Sequence, residues 1–317
     1  MRVLVVASGN SEKISPLVKD QIFVEDQIKD LSEKGIEIDR FLINGLGIKG
    51  YLKNRKPLIK KINAFKPDLI HAHYGLSGLL ANLQRKKYVI TTYHGSDINN
   101  FVPYILSLIS IYLSKYNIFV TNKLALKARV SKKYSIISCG VNLNTFKVLD
   151  KTESRKKIGM SLGKYYILFS AAFSNKGKNY PLAAEAIKQL KSRGYDIELV
   201  EFIGYDREKA NILINAVDCV LVTSFKESGP LVIKEAMAVN IPAVSVDVGD
   251  VNEIMNSLDG YYLAAYSPED IADKIQSALA FGKHTNGRKR IIELGLDSET
   301  VAKKILEVYK KVLKADN

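Results

Sequence analysis

Two glutamates with seven residues between them are the feature of this sequence that points most directly to chemistry. Glu227 lies in a short polar segment, and Glu235 falls within the apolar run that follows it. A carboxylate inside an apolar helix is costly unless it finds hydrogen-bond donors, and the hydroxyls of a ribose would supply them. The alternative is that both glutamates are solvated charges, since Lys234 in the same run indicates that part of this segment meets water.

The residues between the two glutamates have the composition of a helix N-terminus. Pro230 suits the first helical position, where its missing amide is not needed and its φ is already helical. The amides near Gly229, Leu231 and Val232 would then point at a ligand, with the positive end of the helix dipole behind them. Such an end binds a diphosphate or the hydroxyls of a sugar.

The elements that position these residues follow from apolar runs that alternate with helical periodicity. In the first half we predict strands at residues 3–7, 36–43, 69–73, 88–93, 118–120 and 135–138, with helices at 19–34, 53–65, 101–113 and 122–130. In the second half we predict strands at 165–170, 198–203, 219–223, 243–246 and 261–264, with helices at 180–193, 208–216, 230–239 and 268–281 and a helical tail at 286–315. Strands that alternate with helices are typical of parallel sheets.

This pattern and the length of 317 residues predict an α/β protein with two Rossmann-like domains. We place the first domain at residues 1–147 and the second at 148–299, with a C-terminal helix at 300–317 that could pack back on the first domain. The charged, glycine-containing segment 149–163 is the linker candidate. Sheets of this kind bind ligands at the carboxyl ends of their strands. A substrate that donates a group and is bound to one domain can therefore meet a substrate that accepts the group and is bound to the other, across a cleft.

Composition limits the class of protein. The hydrophobic and charged fractions, 47% and 25%, are those of an ordinary soluble protein, and no apolar run approaches the ~20 residues that a membrane-spanning helix requires. The first residues are typical of a buried strand rather than a signal peptide, so we expect a cytoplasmic protein. Cys139 and Cys219 lie far apart without metal-ligand spacing, and buried thiols are the favoured interpretation.

Positive charge is concentrated in one stretch of this chain, whose net charge is +14. Residues 51–133 contain fifteen Lys or Arg and two acids, Asp68 and Asp97. Because no nucleic-acid-binding motif accompanies them, we do not expect nucleic acid as a partner, and an anionic membrane surface or a phosphate-linked acceptor fits better. A solvated basic face is the alternative. Within the stretch, the apolar segment 101–113 is either a core helix, which is the favoured interpretation, or a shallowly inserted one.

The two glutamates, followed by Ala236-Met-Ala and Ile241-Pro-Ala-Val-Ser, resemble the E-x7-E signature of the retaining GT-B glycosyltransferases of family four. The resemblance extends over residues 216–254 and covers most of the second domain. It implies a GT-B fold in which the second domain binds a nucleotide-sugar and the first domain faces the acceptor. It also implies that Glu227 contacts the transferred sugar, that Glu235 holds the nucleotide ribose, and that the backbone of Ser228 to Leu231 holds sugar and phosphate.

The first domain carries segments that are similar to strand ends of the same enzymes. The segment 66–75 ends a strand at His73 on the acceptor side, and Tyr93-His-Gly-Ser-Asp implies that His94 lies beside the donor sugar. Ser96 and Asp97 would then belong to the acceptor side. The loop 8–21, which includes Gly9, resembles the family segment that lies near the phosphate and the acceptor.

One position departs from the family pattern. Family members carry a strand-end Gly-Arg and then a Lys, two cations that neutralise the leaving pyrophosphate, whereas this chain has Ala171 and Ala172 where the Arg is expected. Lys178 or Lys176 can supply the other cation, and Lys178 is preferred because it directly precedes a helix start. Either another group, such as the second lysine, substitutes for the Arg, or the site has weakened towards a non-catalytic binder.

The resemblance therefore implies a retaining glycosyltransferase that moves a sugar from a nucleotide-sugar to a glycan or lipid-linked glycan, in the manner of polysaccharide biosynthesis. No cofactor and no metal are expected, since the sequence contains no D-x-D. The enzyme would be cytoplasmic, or peripheral at the inner face of the membrane. The alternative is a non-catalytic nucleotide-sugar or glycan-binding protein of the same fold.

Overall fold

A computed structural model of the chain describes residues 1–10, 22–282 and 284–314. The chain divides into two compact units, one formed by Met1–Gly140 with Ser298–Asn317 and the other by Val141–Asp297. Each unit contains a parallel sheet whose strands are connected by helices. The predicted α/β class with two Rossmann-like domains is thereby confirmed.

The first unit contains a parallel sheet with the strand order β2-β1-β3-β4-β5-β6. Its strands are β1 (Arg2–Ser8), β2 (Glu37–Ile43), β3 (Leu69–His73), β4 (Tyr88–Tyr93), β5 (Tyr116–Phe119) and β6 (Tyr134–Ile136). The helices between them are α1 (Ile22–Glu33), α2 (Gly47–Leu52), α3 (Arg55–Phe65), α4 (Gly75–Asn82), α5 (Ser96–Asn99), α6 (Phe101–Leu113) and α7 (Asn122–Lys127). The central strands β1 and β3 are almost continuously buried because both faces of a parallel sheet are covered.

The second unit contains a parallel sheet with the strand order β11-β10-β9-β7-β8. Its strands are β7 (Tyr165–Phe169), β8 (Ile197–Glu201), β9 (Cys219–Val222), β10 (Ala243–Val246) and β11 (Tyr261–Ala264). Its helices are α8 (Lys151–Ile158), α9 (Tyr180–Ser192), α10 (Arg207–Ala216), α11 (Leu231–Ala238), α12 (Val251–Met255), α13 (Pro268–Phe281) and α14 (Gly287–Glu293).

The last described helix, α15 (Ser298–Lys314), belongs to the first unit. Its buried residues recur with helical spacing and pack into the same apolar cluster as residues of β1, β3, β4 and β5. They are Val301, Ala302, Ile305, Val308, Tyr309 and Val312. This stripe of apolar side chains joins the end of the chain to the sheet that the beginning of the chain forms.

The prediction that segment 149–163 is a linker is wrong, because α8 occupies its centre. Asp150 caps this helix, its Oδ1 accepting a hydrogen bond from the Glu153 amide at 2.8 Å. The buried Arg155 then donates to the Ala216 carbonyl at 2.8 Å and pairs with Asp218 at 2.7 Å. Charged residues at helix spacing therefore form a packed element of the second unit rather than a connection.

Helix α6 has the predicted bounds, but the prediction that its apolar residues form core is wrong. Its buried residues are Ser107 and Ser110, and its large apolar side chains are mostly exposed. The serines lie against α4, where a Cβ added to Gly75 or Gly78 would come within 1.9 or 2.4 Å of their oxygens. Because α4 has no side chain at these positions, the two helices approach closely. Only the face of α6 that carries the two serines is small enough to pack against α4.

Candidate functional site

The strand orders place a topological switch point in each sheet. In the first unit the chain leaves β1 towards β2 on one side and β3 towards β4 on the other, and in the second unit β7 and β9 diverge in the same way. Open α/β sheets bind ligands outside the carboxyl ends of their strands at such points. The predicted site residues follow β1, β3 and β4 in the first unit, and β7 and β9 in the second.

An ion pair lies at the switch point of the second unit. Lys178, which follows β7, has its Nζ 2.5 Å from Glu227 Oε1, and Glu227 follows β9. The Ser224 hydroxyl donates to the same carboxylate oxygen at 2.8 Å. Both charged side chains are partly open to solvent, 25% and 17% exposed. The structure thus brings two predicted site residues together, while Lys176 is exposed.

The loops that carry this ion pair are held by hydrogen bonds to each other. The Thr223 hydroxyl donates to the Lys178 carbonyl at 2.9 Å, and the Phe225 amide donates to the Gly177 carbonyl at 3.1 Å. The Tyr266 hydroxyl, which comes after β11, donates to the Ser224 carbonyl at 2.7 Å. Hydrogen bonds to backbone carbonyls therefore position the two loops, independently of the ion pair itself.

Glu235 is almost fully buried in α11, and its partner is an arginine that the sequence reasoning did not single out. Arg207, the first residue of α10, forms an ion pair with Glu235 through Nη1 and lies over the Phe146 ring at 5.2 Å. Arg207 follows β8, the strand adjacent to β7, so it reaches the same edge of the sheet. The sequence signal that could have identified Arg207 was its position shortly after a strand, next to a glycine-containing loop.

A second buried charge supports the loop before α11. Lys234 supported the alternative that this helix carries solvated charges, but it is fully buried, and its Nζ lies 2.9 Å from Asp250 Oδ2. Asp250 in turn lies under Gly229, where a Cβ would be 2.9 Å from the Asp250 carboxylate oxygens. That alternative is wrong for Lys234, because an aspartate 16 residues away, which a local pattern cannot reveal, neutralises it.

The start of α11 lies one residue later than predicted. Pro230 has φ −65° and ψ 111°, so it is the residue before the helix, and Leu231 is the first helical residue. The early amides of the helix, which have no acceptor within it, begin directly after Ser228 and Gly229. Gly249, with φ +61°, allows the next loop to approach Ser228 closely, since a Cβ there would lie 2.6 Å from the Ser228 carbonyl.

In the first unit the ends of β3 and β4 bring two histidines together. His73 Nδ1 lies 3.0 Å from His94 Nε2, and the two rings stack with centroids 5.2 Å apart. The rings of Phe23 and Tyr74 enclose His94 at 4.5 and 4.7 Å. Tyr74 has φ +71°, a strained value for a residue with a side chain, and such strain is concentrated at functional sites.

These imidazoles are neutral at physiological pH. Burial lowers the pKa of His73 to about 3, and burial together with the neighbouring His73 lowers the pKa of His94 well below its usual value. One nitrogen of the pair therefore donates the hydrogen bond and the other accepts it. Cys139, predicted as a buried thiol, is only partly buried, and its Sγ lies 3.9 Å from His94 Nδ1. His94 is thus placed as a neutral hydrogen-bonding group rather than as a charged one.

Asp97 organises the backbone around His94. Its carboxylate accepts hydrogen bonds from the amides of Gly95 at 2.8 Å and Gly75 at 3.1 Å, and burial raises its pKa to about 6. Ser96, the other residue predicted on the acceptor side, is exposed. Asp97 is therefore placed to hold the strand-end loops, whereas Ser96 is placed to meet solvent or a ligand.

Gly9 lies at the same edge of the first sheet, at the end of β1. Its amide donates to the Ile43 carbonyl at 2.8 Å, and a Cβ there would lie 3.1 Å from Leu42 Cβ. The rest of the loop that resembles the phosphate and acceptor segment, residues 11–21, lies outside the described residues. Among residues 1–10, 22–282 and 284–314, no group of three or more His, Cys, Asp or Glu side chains could hold a metal ion.

Comparison with known families and proteins agrees with this arrangement. Residues 20–145 match the family model described as Glycosyltransferase Family 4, and residues 195–295 match the model described as Glycosyl transferases group 1. The chain is 24% identical over 241 residues to a Bacillus subtilis protein named as a teichuronic acid biosynthesis glycosyltransferase, TuaC. That match covers 66% of this chain and 60% of TuaC, so the chain spans about three fifths of the curated relative it matches.

Solved structures share the fold over nearly the whole chain. Sucrose-phosphate synthase from Thermosynechococcus elongatus has a TM-score of 0.80 at 18% identity, covering 99% of this chain and 100% of its own. HepE from Anabaena, in complex with UDP, has a TM-score of 0.75 at 15% identity, covering 98% and 100%. The fold is GT-B, with two Rossmann-like domains. With two consecutive family models matched along most of its length, the chain belongs to the group 1, family four glycosyltransferases.

Proposed function

We propose that this protein is a retaining, metal-independent glycosyltransferase that moves a sugar from a nucleotide-sugar donor to a glycan or lipid-linked glycan. The observation that carries the proposal is the Lys178–Glu227 pair at the switch point of the second sheet, directly before the N-terminus of α11. A cation, a carboxylate and a set of helix amides are the groups that a sugar diphosphate requires. The crystal structures of HepE with UDP and with UDP-glucose support the same class of donor here.

Donor binding would exchange the partners of these charged groups. Lys178 would turn from Glu227 to the diphosphate, and Glu227 would accept hydrogen bonds from the sugar hydroxyls. As the leaving nucleoside diphosphate gains negative charge, Lys178 and the amides at the start of α11 would stabilise that charge. The acceptor hydroxyl would attack the anomeric carbon on the same face as the bond to the phosphate oxygen breaks, and its proton would pass to the departing diphosphate. Positioning would be the other main contribution to the rate.

Glu235 is the proposed ribose ligand, and Arg207 is the proposed substitute for the family arginine that Ala171 and Ala172 replace. Arg207 holds the Glu235 carboxylate and comes from the strand adjacent to β7. A guanidinium can bind a carboxylate and a phosphate oxygen at once, because it carries five donors in one plane. Arg207 would thus restore the charge that the substitution to alanine removed.

The first unit would supply the acceptor side. His94 is neutral and enclosed by three other rings, and it would form a hydrogen bond with a hydroxyl of the donor sugar, either as donor or as acceptor. Asp97 would act through the backbone that it holds, whereas His73 would fix the orientation of His94. The resemblance to TuaC supports a role in cell-surface polysaccharide biosynthesis, with the acceptor presented at the inner face of the membrane.

The second candidate is a non-catalytic nucleotide-sugar-binding protein, which the apolar residues at the arginine position favour. A panel of UDP-, GDP- and ADP-sugars, with chelator present and with products followed by mass spectrometry, distinguishes the two. We expect release of nucleoside diphosphate from one donor class, with unchanged anomeric configuration in the transferred sugar. Nucleotide binding without release from any donor would favour the binding protein, and activity that requires a divalent cation would contradict metal independence.

A further inference from the structure

The outward face of α6 is apolar along its whole length. Phe101 and Tyr112, near its two ends, are 78% and 87% exposed, and the exposed residues between them recur at helical spacing. They are Val102, Ile105, Leu108, Ile109 and, at the end of the helix, Leu113. A contiguous apolar face of this kind is rare on a protein that meets only water, and it marks an interaction surface.

The opposite face of α6 is polar, and its polar groups have partners inside the protein. The Ser107 hydroxyl donates to the Asp97 carbonyl at 3.0 Å, and Ser110 Oγ accepts from the Tyr93 hydroxyl at 3.2 Å. The polar face therefore satisfies buried groups, and the apolar face points outward. This is the reverse of the pattern of a water-facing helix, so the outward face of α6 matches a partner that is itself apolar.

A basic cavity of about 640 Å³ adjoins the C-terminal end of this face, and Tyr112 and Leu113 form part of its lining. Five cationic side chains also line it, namely Arg85, Lys86, Lys87, Lys115 and Lys133. Asp68 also lines the cavity, so five cations face one acid there, and the other acid between residues 51 and 133, Asp97, is buried. The apolar face and a strongly positive surface are thus continuous.

We propose that the apolar face of α6 and the adjoining basic cavity form a docking surface for an anionic lipid bilayer. A bilayer offers both chemistries in the same plane, acyl chains for the aromatic and aliphatic side chains and anionic headgroups for the lysines. A second copy of this chain fits less well, because it would bring two positive cavities together. In the part of the chain that the structure describes, no helix could cross a bilayer, so α6 would lie in the interface.

The surface and the site of the first unit are joined by α6 itself. The helix begins at Phe101, four residues after Asp97 and directly after the short helix α5 that follows His94, and it ends at the basic cavity. A bilayer along α6 would therefore bring its headgroups towards the acceptor-side residues. This placement would serve a lipid-linked acceptor and in that respect rests on the proposed function, whereas binding to lipid does not require catalysis.

Co-sedimentation of the full chain with vesicles tests the proposal. The vesicles are phosphatidylcholine alone or phosphatidylcholine with about one third phosphatidylglycerol, at salt concentrations of about 0.1 M and 1 M. We expect binding to the anionic vesicles at low salt only. The double variant Ile105→Gln with Ile109→Gln should lower the partition coefficient about tenfold or more, because two apolar side chains no longer enter the interface. Lys86→Gln with Lys133→Gln should lower it about 30-fold, from about 1 kcal/mol for each charge.

Matched controls come from the second unit. Ile292→Gln replaces an isoleucine that is at least as exposed as Ile105 and Ile109, and Lys188→Gln with Lys191→Gln removes two exposed lysines, so neither should change binding more than about twofold. Circular dichroism checks that each variant is folded. Equal binding to both kinds of vesicle, or an equal loss in the controls, would overturn the proposal. A dimer in sedimentation velocity that Ile105→Gln with Ile109→Gln dissociates would assign the face to self-association instead.

Discussion

Replacement of the two charges at the switch point of the second unit should change nucleotide affinity in opposite directions. Lys178 and Glu227 are 2.5 Å apart and both partly exposed. A unit charge about 4 Å from a diphosphate is worth about 4 kcal/mol at an effective dielectric constant of 20. Exposure roughly halves this value, and loss of the Glu227 contact offsets a further part. Lys178→Gln should therefore raise the Kd for a nucleoside diphosphate about tenfold.

Glu227→Gln has the opposite sign, because it removes a negative charge near the phosphates and releases Lys178 from its partner. We expect calorimetry to show a severalfold lower Kd, while turnover of the nucleotide-sugar falls by about two orders of magnitude. Lys176→Gln is the matched control, since Lys176 is exposed in the same turn, and it should change Kd less than threefold or so.

Two results would refute this reasoning. If Lys176→Gln had the larger effect, the phosphate cation would be Lys176. If Glu227→Gln weakened nucleotide binding as much as Lys178→Gln does, the pair would be a structural support rather than a pair that the donor separates. Thermal denaturation of each variant shows whether a loss of folding accounts for either result.

Three further predictions follow from buried charges. Glu235→Gln should weaken nucleoside diphosphate binding about tenfold or more and change inorganic pyrophosphate binding by a smaller factor, because only the former carries a ribose whereas Arg207, which Glu235 holds, serves both ligands; equal loss for both ligands would contradict the assignment of the ribose to Glu235. Lys234→Met should destabilise the second unit by about 3–5 kcal/mol, because Asp250 would remain buried without its cation, whereas Lys188→Met at an exposed pair should cost less than about 1 kcal/mol; hydrogen exchange in α11 measures the difference. The pKa of Asp97 in the folded state, about 6, lies above its usual 3.8, so the contribution of Asp97 to stability is present below about pH 4 and is lost as the pH rises through 6. The free energy of unfolding of the wild type relative to Asp97→Asn, measured by thermal denaturation, should therefore fall by about 2–3 kcal/mol over that range. A rise over that range would contradict the prediction.

The sheets could be predicted because their signal is local. Strands β3, β4, β10 and β11 have the predicted bounds, since a run of apolar residues between turns is sufficient to indicate a buried parallel strand. The loops that carry Glu227 and His94 follow from the same reasoning, because ligands of such sheets bind after the strands. Helix α4 was not predicted, since Gly75 and Gly78 lower helix propensity and their reason for being glycine is the neighbouring α6.

The sequence by itself determined the class of fold, the strand ends at which ligands bind, and the two glutamates that identify the family. Only the tertiary structure decided which charges are neutralised and which helix face is outward. Arg207 and Glu235 are 28 residues apart, and Asp250 reaches Lys234 from another loop, so no local pattern contains either pair. In α6 nearly every residue is apolar, and its orientation was decided by the space that two glycines leave for two serines. The physical reason is the same in each instance. Whether a side chain is buried depends on which other elements pack against it, whereas the periodicity of a sequence describes only a single helix or strand.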